Sequence, residues 1–497
     1  MEKMLIVIPI IIYLALNLFI GVWISKHSAK ENAKNGFINN YFIGGRSMGG
    51  FVLAMTLIAT YTSASSFIGG PGIAYSVGLS WVFVAVTQVP TAFLTLGILG
   101  KKLAIISRKI NAVTVTDYLY KRYKSPTVVI IASIALVVFF IVTMVAQFIG
   151  GAVLFQSITG YSYLIGLILF GTIVIIYTTI GGFKAVVITD TLQGIIMLIG
   201  TGLILYTIIK VGGGMDAISA TLNEINPVWS TPLSGDHFSK GYIMSFWVLV
   251  GVGTLGLPQN TVRAMGFKDS KSMHDAMIYG TVVFFILMFG MLLAGVLSAA
   301  ILPTGISNSD IVIPTLVIKI MHPVVAGIFL AAPLAAVMST VSSMLILSSA
   351  AIIKDIYMNY IMKKDEAKEG NDFEKKISRM SLWSTAIIGF IVFILAIQPP
   401  DLLTFINLFA FGGLEAAFFC PVVFGLYWKR SNAVGAIFSM ICGVGSFILF
   451  YITKFAPMGA QPIVPALIVA IVAFFIGSYV GPRPDKDVLE LFYGAEE

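Results

Sequence analysis

The chain has 497 residues, of which 58% are hydrophobic and 11% are charged, with a mean hydropathy of +0.95 and a formal net charge of +8. Soluble globular proteins carry roughly 25% charged residues, so this composition excludes a water-soluble fold. The basic residues are spread through loops between apolar runs, which argues against a nucleic-acid-binding patch. Because the apolar runs are continuous and not alternating, the sequence predicts an all-α polytopic membrane protein and excludes a β-barrel.

The predicted spans are the apolar runs long enough to cross a hydrocarbon core of about 30 Å. They number thirteen and lie at roughly 4–24, 50–75, 79–99, 128–155, 161–181, 187–210, 243–265, 275–301, 324–353, 380–397, 402–427, 432–453 and 462–481. The first run is too long for the core of a signal peptide, and no small-residue cleavage site follows it. It is therefore interpreted as the first membrane helix.

The distribution of lysine and arginine predicts the orientation of these spans. If the N-terminus lies outside, 26 of the 31 basic residues fall in cytoplasmic loops or the C-terminal tail. Such an excess follows the positive-inside rule. We therefore expect a multi-pass protein of the cell membrane with an external N-terminus and, since thirteen is odd, a cytoplasmic C-terminus.

The second span contains hydroxyls and helix breakers where lipid favours a regular helix. Residues 56–75 read TLIATYTSASSFIGGPGIAY. Unpaired backbone groups are tolerated at membrane depth only where protein or a water-filled cavity covers them. A helix interrupted at the Gly-Gly-Pro-Gly stretch, 69–72, would free carbonyl oxygens that suit a small cation. The alternative is a simple kink with hydroxyls bonded to the preceding turn.

The seventh span repeats this pattern. Residues 243–265 read IMSFWVLVGVGTLGLPQNTVRAM, with Gly251, Gly253, Thr254 and Pro258 in the middle. It comes five positions after the second span in the order of spans, and an odd interval means that the two cross the membrane in opposite directions. This pattern predicts a five-plus-five inverted repeat with a binding site between the two broken helices.

The predicted organisation is therefore one transmembrane domain over residues 1–497. Its parts are an extra first helix at 4–24, a first repeat at 47–210, a second repeat at 240–427 and two C-terminal helices at 431–481.

The ninth span offers ligands that match the second. Ala336, Ser339 and Thr340 are spaced i, i+3 and i+4, so they share one helix face. Their oxygens could complete a sodium shell begun by carbonyls of the second span. The alternative is close helix packing, which also favours Ala, Ser and Thr.

Several blocks of the chain resemble the sodium:solute symporter family, in the right order over nearly its whole length. The blocks are GGRSMG and TLIATYTSASSFIGGPG in the first repeat, GGFKAVVITDTLQG at 181–194, AAVMSTVSS in the ninth span, and FGGLEA and GLYW between 411 and 428. The resemblance implies a LeuT-type fold working by alternating access, with Na+ as the coupling ion and a small organic solute as the substrate.

The resemblance also implies a sodium site. Its ligands are the carbonyl oxygens of Ala59 and Thr62, opposite Ala336, Ser339 and Thr340. Family members that carry proline have an aspartate where this chain has Tyr61. The predicted site is therefore built from neutral oxygens.

Two acidic residues fall inside predicted spans, where a carboxylate is by default a functional candidate. Asp190 lies near the start of the sixth span, and the resemblance places it on the path of sodium to the cytoplasm. The alternative is a first-turn residue stabilised by the helix dipole. Glu415 lies deep in the eleventh span and is a candidate substrate contact, an internal hydrogen-bonding group or a protonated acid.

The remaining candidate substrate contacts are donors near the two breaks. They are Ser63, Ser65, Gln88 and Thr254. Arg263 is placed near the cytoplasmic end of the seventh span, where it would serve topology and gating.

The alternatives to this function are a sodium symporter for another solute, such as an amino acid, a monocarboxylate or sialic acid, a proton-coupled transporter and, more remotely, an ion channel. An enzyme is not expected, because no nucleophile–base pair or metal triad is present. The two cysteines, Cys420 and Cys442, form no metal-binding spacing. The sequence predicts no cofactor besides the coupling ion, no transition metal and no obligate protein partner.

Overall fold

The computed structural model describes residues 2–35, 37–227, 238–306, 308–362, 371–398 and 403–494. The helices are α1 Glu2–Asn35, α2 Phe37–Ile43, α3 Gly50–Tyr61, α4 Gly70–Val77, α5 Leu79–Gln88, α6 Thr91–Leu94, α7 Lys101–Lys109, α8 Val115–Tyr123, α9 Pro126–Thr159, α10 Tyr163–Val211, α11 Met215–Ile225, α12 Lys240–Met244, α13 Pro258–Met265, α14 Ser270–Ser298, α15 Val312–Ile320, α16 Pro323–Ala350, α17 Asn371–Leu395, α18 Leu403–Tyr427, α19 Ala433–Ile452, α20 Ile463–Val480 and α21 Lys486–Tyr493. Four π-helical segments, Ser65–Gly69, Thr95–Gly100, Trp247–Gly251 and Ala351–Ile361, and the 3-10 segment Val252–Gly256 extend or join these helices. The predicted all-α fold class is confirmed.

Ten of the described helices are long and apolar enough to cross a membrane, and two bent helix pairs add one span each. The 49-residue helix α10 is too long for one crossing and breaks at Gly182, whose φ of +63° is accessible mainly to glycine. Counting α10 as two spans gives the thirteen predicted from the apolar runs. The limits assigned to the two repeats stay a prediction.

The two bent pairs are the second and seventh spans. Gly50–Tyr61 and Ser65–Val77 meet at 75°, and Lys240–Gly256 and Pro258–Met265 meet at 48°. Both breaks were predicted, and their five-span separation fits the inverted repeat.

The position of the first break differs from the prediction. The helix stops at Thr62, which has extended backbone angles (φ −68°, ψ 126°), while the stretch from Gly70 to Gly72 is helical. The glycines serve close packing instead, because a Cβ on Gly72 would lie on the carbonyl of Ser309. Pro71 fits because it occupies the first turn of α4, where its missing N–H is not needed.

The second break lies where the sequence places it. The 3-10 segment ends at Gly256, Leu257 has an extended backbone, and Pro258 starts α13. Gly251 has φ −105° and ψ −100°, outside the helical region, so the segment before the break is also irregular.

Helix α16 lies at the centre of the bundle and is buried along almost its whole length from Ala326. It packs on α10, α1, α9 and α3. Its many Ala and Ser side chains allow this close approach: a Cβ on Gly200 of α10 would overlap that of Ala332. Small-residue packing and ligand supply are therefore both properties of this one helix.

Candidate ion and solute site

The break in the second span brings backbone oxygens against α16. The Ser339 hydroxyl donates to the carbonyl of Ala59 at 2.6 Å, and the Thr340 hydroxyl donates to the carbonyl of Thr62 at 2.9 Å. The carbonyl of Ala336 lies 3.1 Å from Ser339 Oγ and 3.0 Å from Thr340 Oγ1. All five oxygens predicted as sodium ligands are therefore close together; we call them the five-oxygen cluster.

The cluster is chemically suited to a small hard cation. Its oxygens come from three carbonyls and two hydroxyls, and all five residues are fully buried. The helix ends at Thr62, so the carbonyls around the break lack the partners that a continuing helix would supply. Oxygen ligands without a formal charge bind alkali cations through their number and dipoles.

A partly enclosed cavity adjoins the same break on the side of α4. It is lined by three of the predicted substrate contacts, Ser63, Ser65 and Gln88. The remaining wall is mostly aromatic and aliphatic with a few polar groups, and includes Tyr61, Trp81, Phe246, Thr404, Asn407 and Phe411. An apolar wall with a few directed polar groups is typical of a small-molecule site.

Comparison with known proteins identifies the family. The profile of the sodium:solute symporter family matches residues 41–443. The chain belongs to the sodium:solute symporter family.

Two similar relatives are the sodium/pantothenate symporters of Haemophilus influenzae and Escherichia coli. Each is 46% identical to this chain. The first match covers 96% of this chain and 97% of the relative, and the second covers 97% and 98%. Among solved structures, a Na+-coupled sialic acid symporter in a substrate-bound outward-open state aligns with a TM-score of 0.79 at 20% identity, covering 97% of this chain and 99% of that chain. This likeness shows the fold, and it confirms the LeuT-type expectation.

A buried ion pair lies beside the five-oxygen cluster of this symporter. Arg263 Nη2 donates to Asp190 Oδ2 at 3.0 Å, and both side chains are fully buried. The same carboxylate oxygen accepts from the hydroxyls of Thr56 at 2.7 Å and Thr60 at 3.3 Å. Arg263 also donates to the Ser343 hydroxyl at 2.6 Å. The pair therefore ties α3, α10, α13 and α16 together.

Two sequence interpretations change here. Asp190 was considered as a first-turn residue, but it lies two turns beyond the kink at Gly182, inside the helix. Arg263 lies in the last turn of α13, near the end of its span as predicted, but its guanidinium is enclosed and bonded to the Thr56 carbonyl at 3.1 Å. A buried arginine needs such partners, because an unpaired guanidinium in the interior is strongly unfavourable.

The other two predicted substrate contacts do not line the cavity. The Thr254 hydroxyl donates to the carbonyl of Gly251 at 2.5 Å, within its own segment. Glu415 faces the seventh span at Gly253, one turn beyond the cavity-lining residue Phe411. Both residues are fully buried. Thr254 was predicted from its closeness to a break and Glu415 from its depth in a span, and neither property reveals the direction of a side chain.

Two amides bonded to the residues after the first break were missed. Gln147 Oε1 accepts from the backbone N–H of Ala64 at 2.8 Å, and Gln147 Nε2 donates to Asn407 Oδ1 at 3.4 Å. Asn407 Nδ2 in turn donates to the Ser63 hydroxyl at 3.3 Å. This chain of bonds fixes the residues just after the break. The sequence feature that could have revealed them is an uncharged amide within an apolar span. A polar side chain there is a functional candidate, as a carboxylate is.

Proposed function

We propose that this protein is a sodium-coupled secondary active symporter that imports pantothenate by alternating access. The observation that carries the proposal is the convergence of Ser339 and Thr340 on the carbonyls of Ala59 and Thr62. The choice of pantothenate is supported by the two relatives at 46% identity that bear that substrate in their names. The alternative is a sodium symporter for another small organic solute.

The ion couples to the solute through the break itself. Sodium bound in the five-oxygen cluster holds α3 against α16, and Ser63, the residue after Thr62, lies in the cavity wall. Binding of the ion thus stabilises the backbone on which the solute binds, and the two ligands favour the same conformation. The amide chain from Gln147 to Ser63 holds the solute side of that backbone.

Pantothenate is an anion with hydroxyl and amide groups, so it needs hydrogen-bond donors. Ser63, Ser65 and Gln88 supply hydroxyl and amide donors in the cavity. The α4 side of the break adds the N-terminal end of a half-helix, which favours an anion. No cofactor besides Na+ is required by this scheme.

The driving force depends on how many ions accompany the anion. Each positive charge moved inward gains about 2.3 kcal/mol per 100 mV of membrane potential. One Na+ with one pantothenate anion is electroneutral and uses only the sodium gradient. The inward sodium gradient sets the import direction. The basic loops predict an external N-terminus and a cytoplasmic C-terminus in the cell membrane.

Uptake into liposomes tests the proposal. The purified protein is reconstituted, and labelled pantothenate uptake is measured with an inward sodium gradient and with choline replacing sodium at fixed pH. We expect sodium-dependent accumulation that unlabelled pantothenate abolishes and that proline or sialic acid leaves unchanged. Sodium-dependent uptake of a different solute would reassign the substrate, whereas uptake that ignores sodium would reject the ion site.

A further inference from the structure

Glu415 of α18 is a buried carboxyl that the sodium and solute sites do not use. Its side chain is fully buried, and neither carboxyl oxygen has a hydrogen-bond partner among the described residues. Asp190 is equally buried, but its Oδ2 has three donors. An ionised carboxylate enclosed without a donor or counter-ion is strongly unfavourable, so the charge of Glu415 must be neutralised in another way.

The surroundings of Glu415 are acceptors. A Cβ built on Gly253 would lie 2.5 Å from Glu415 Oε2 and 2.4 Å from the carbonyl oxygen of Val248. Both oxygens therefore lie beside Gly253, in the irregular segment of the seventh span. A carboxyl that faces a backbone carbonyl can form a hydrogen bond to it only when the carboxyl carries the proton.

We propose that Glu415 is a proton-binding site, separate from the five-oxygen cluster, whose carboxylic acid links α18 to the turn 248–253 of the seventh span. A proton suits this place better than a metal ion. Sodium needs several oxygens, and the nearby carbonyl of Gly251 is already engaged by the Thr254 hydroxyl. A protonated carboxyl needs one acceptor only, which the turn provides. The proton enters from water and returns to it, and no other bond changes.

No residue that the structure describes supplies Glu415 with a counter-ion. Tyr61 of α3 is the titratable side chain close enough to interact with it, and the Tyr61 hydroxyl donates to the carbonyl of Val250 at 3.3 Å. Helices α9, α19 and α20 and residues 247–256, which pack on α18, contain no Asp, Glu, Lys, Arg or His. From α8, Arg122 reaches α18 only at the carbonyl of Gly425, ten residues beyond Glu415.

The site is placed to affect transport of an anion, a consequence that rests on the proposed function. Phe411 lies one turn before Glu415 on the same helix face, lines the cavity and packs on Tyr61 with ring centroids 5.9 Å apart. A neutral Glu415 does not repel a carboxylate in that cavity. Loss of the proton at alkaline pH places a charge behind the cavity wall and separates α18 from the seventh span.

Two measurements test the site, and the first does not require transport. Infrared spectra of the reconstituted protein are recorded from about pH 6 to about pH 9, a range in which exposed carboxylates stay ionised. We expect a band from the C=O stretch of a protonated carboxylic acid that is absent in Glu415→Gln. A spectrum in which Glu415→Gln removes no such band overturns the proposal, whether or not the protein carries pantothenate.

The second measurement is sodium-driven pantothenate uptake over the same pH range, with equal pH on both sides. Wild type is expected to lose activity towards alkaline pH, whereas Glu415→Gln, which resembles the protonated acid, keeps its activity at every pH. Glu415→Ala, which cannot bond to the turn, is expected to lose activity throughout. Equal alkaline loss in wild type and Glu415→Gln would contradict the role in transport. Absence of uptake in wild type at every pH would reject the proposed function and leave the infrared result as the test of the proton site.

Discussion

Thr340→Val removes one ligand from the five-oxygen cluster while keeping the shape of the side chain. Thr340 Oγ1 lies 2.9 Å from the Thr62 carbonyl, 3.0 Å from that of Ala336 and 3.3 Å from that of Thr60. A polar contact to a charged group contributes about 1.5–3 kcal/mol, which corresponds to roughly a 10- to 150-fold loss of sodium affinity. Without sodium, only one neutral hydrogen bond is lost, so the free energy of unfolding should fall by about 1 kcal/mol.

The assay is the sodium concentration that gives half-maximal pantothenate uptake in liposomes. The matched control is Thr201→Val in α10, because its buried hydroxyl donates to the carbonyl of Met197 within its own helix at 2.9 Å. We expect a large increase in that concentration for Thr340→Val and none for Thr201→Val. A Thr340→Val protein with the sodium dependence of the control would refute the assignment of the cluster.

Three further predictions concern the surroundings of the site. Asp190→Asn breaks a buried ion pair, so we expect the free energy of unfolding to fall by about 3–5 kcal/mol and the sodium requirement to rise. Thermal unfolding at the wild-type temperature would contradict the expected loss of stability. Gln147→Leu leaves the buried N–H of Ala64 without an acceptor, so the KM for pantothenate should rise in uptake assays, and an unchanged KM would remove this residue from the solute site. Gly295→Ala would place a Cβ 2.1 Å from a carbonyl oxygen of the broken second span. It should therefore cost about 1–3 kcal/mol by overpacking, whereas Gly202→Ala, which has open space, should unfold like wild type.

Helical periodicity and residue type were enough to predict which oxygens of α16 share one face. Ser339 and Thr340 are neighbours on one face at the i+3 and i+4 positions from Ala336, and a helix preserves that relation whatever its surroundings. The partner carbonyls were harder to place, because glycine and proline mark where a helix is able to stop and not where it does. Here the helix stops at Thr62, eight residues before Gly70, the first glycine of α4.

The contacts that sequence reasoning missed are those between distant helices. The spacing of Asp190 and Arg263 along the chain gives no reason to pair them, and basic residues near span ends are usually read as topology signals. Glu415 shows the same limit, since its depth in the eleventh span was evident but the side that it faces was not. Only the packing of α18 on the seventh span determines that it faces Gly253 and not the cavity.

The five-oxygen cluster and the buried ion pair are joined through one residue. The carbonyl of Thr60 accepts from Thr340 at 3.3 Å, while its hydroxyl lies 3.0 Å from the Ser343 hydroxyl and 3.3 Å from Asp190 Oδ2. Any shift of α3 that opens the cluster therefore also stretches the bonds to the ion pair. Because linkage is reciprocal, a rearrangement of the ion pair that weakens cation binding at the cluster is itself disfavoured, by the same free energy, when the cation is bound. Thr60 thus joins the five-oxygen cluster and the ion pair in one cooperative unit. Release of an ion that is coupled to opening of the helix bundle requires such a unit.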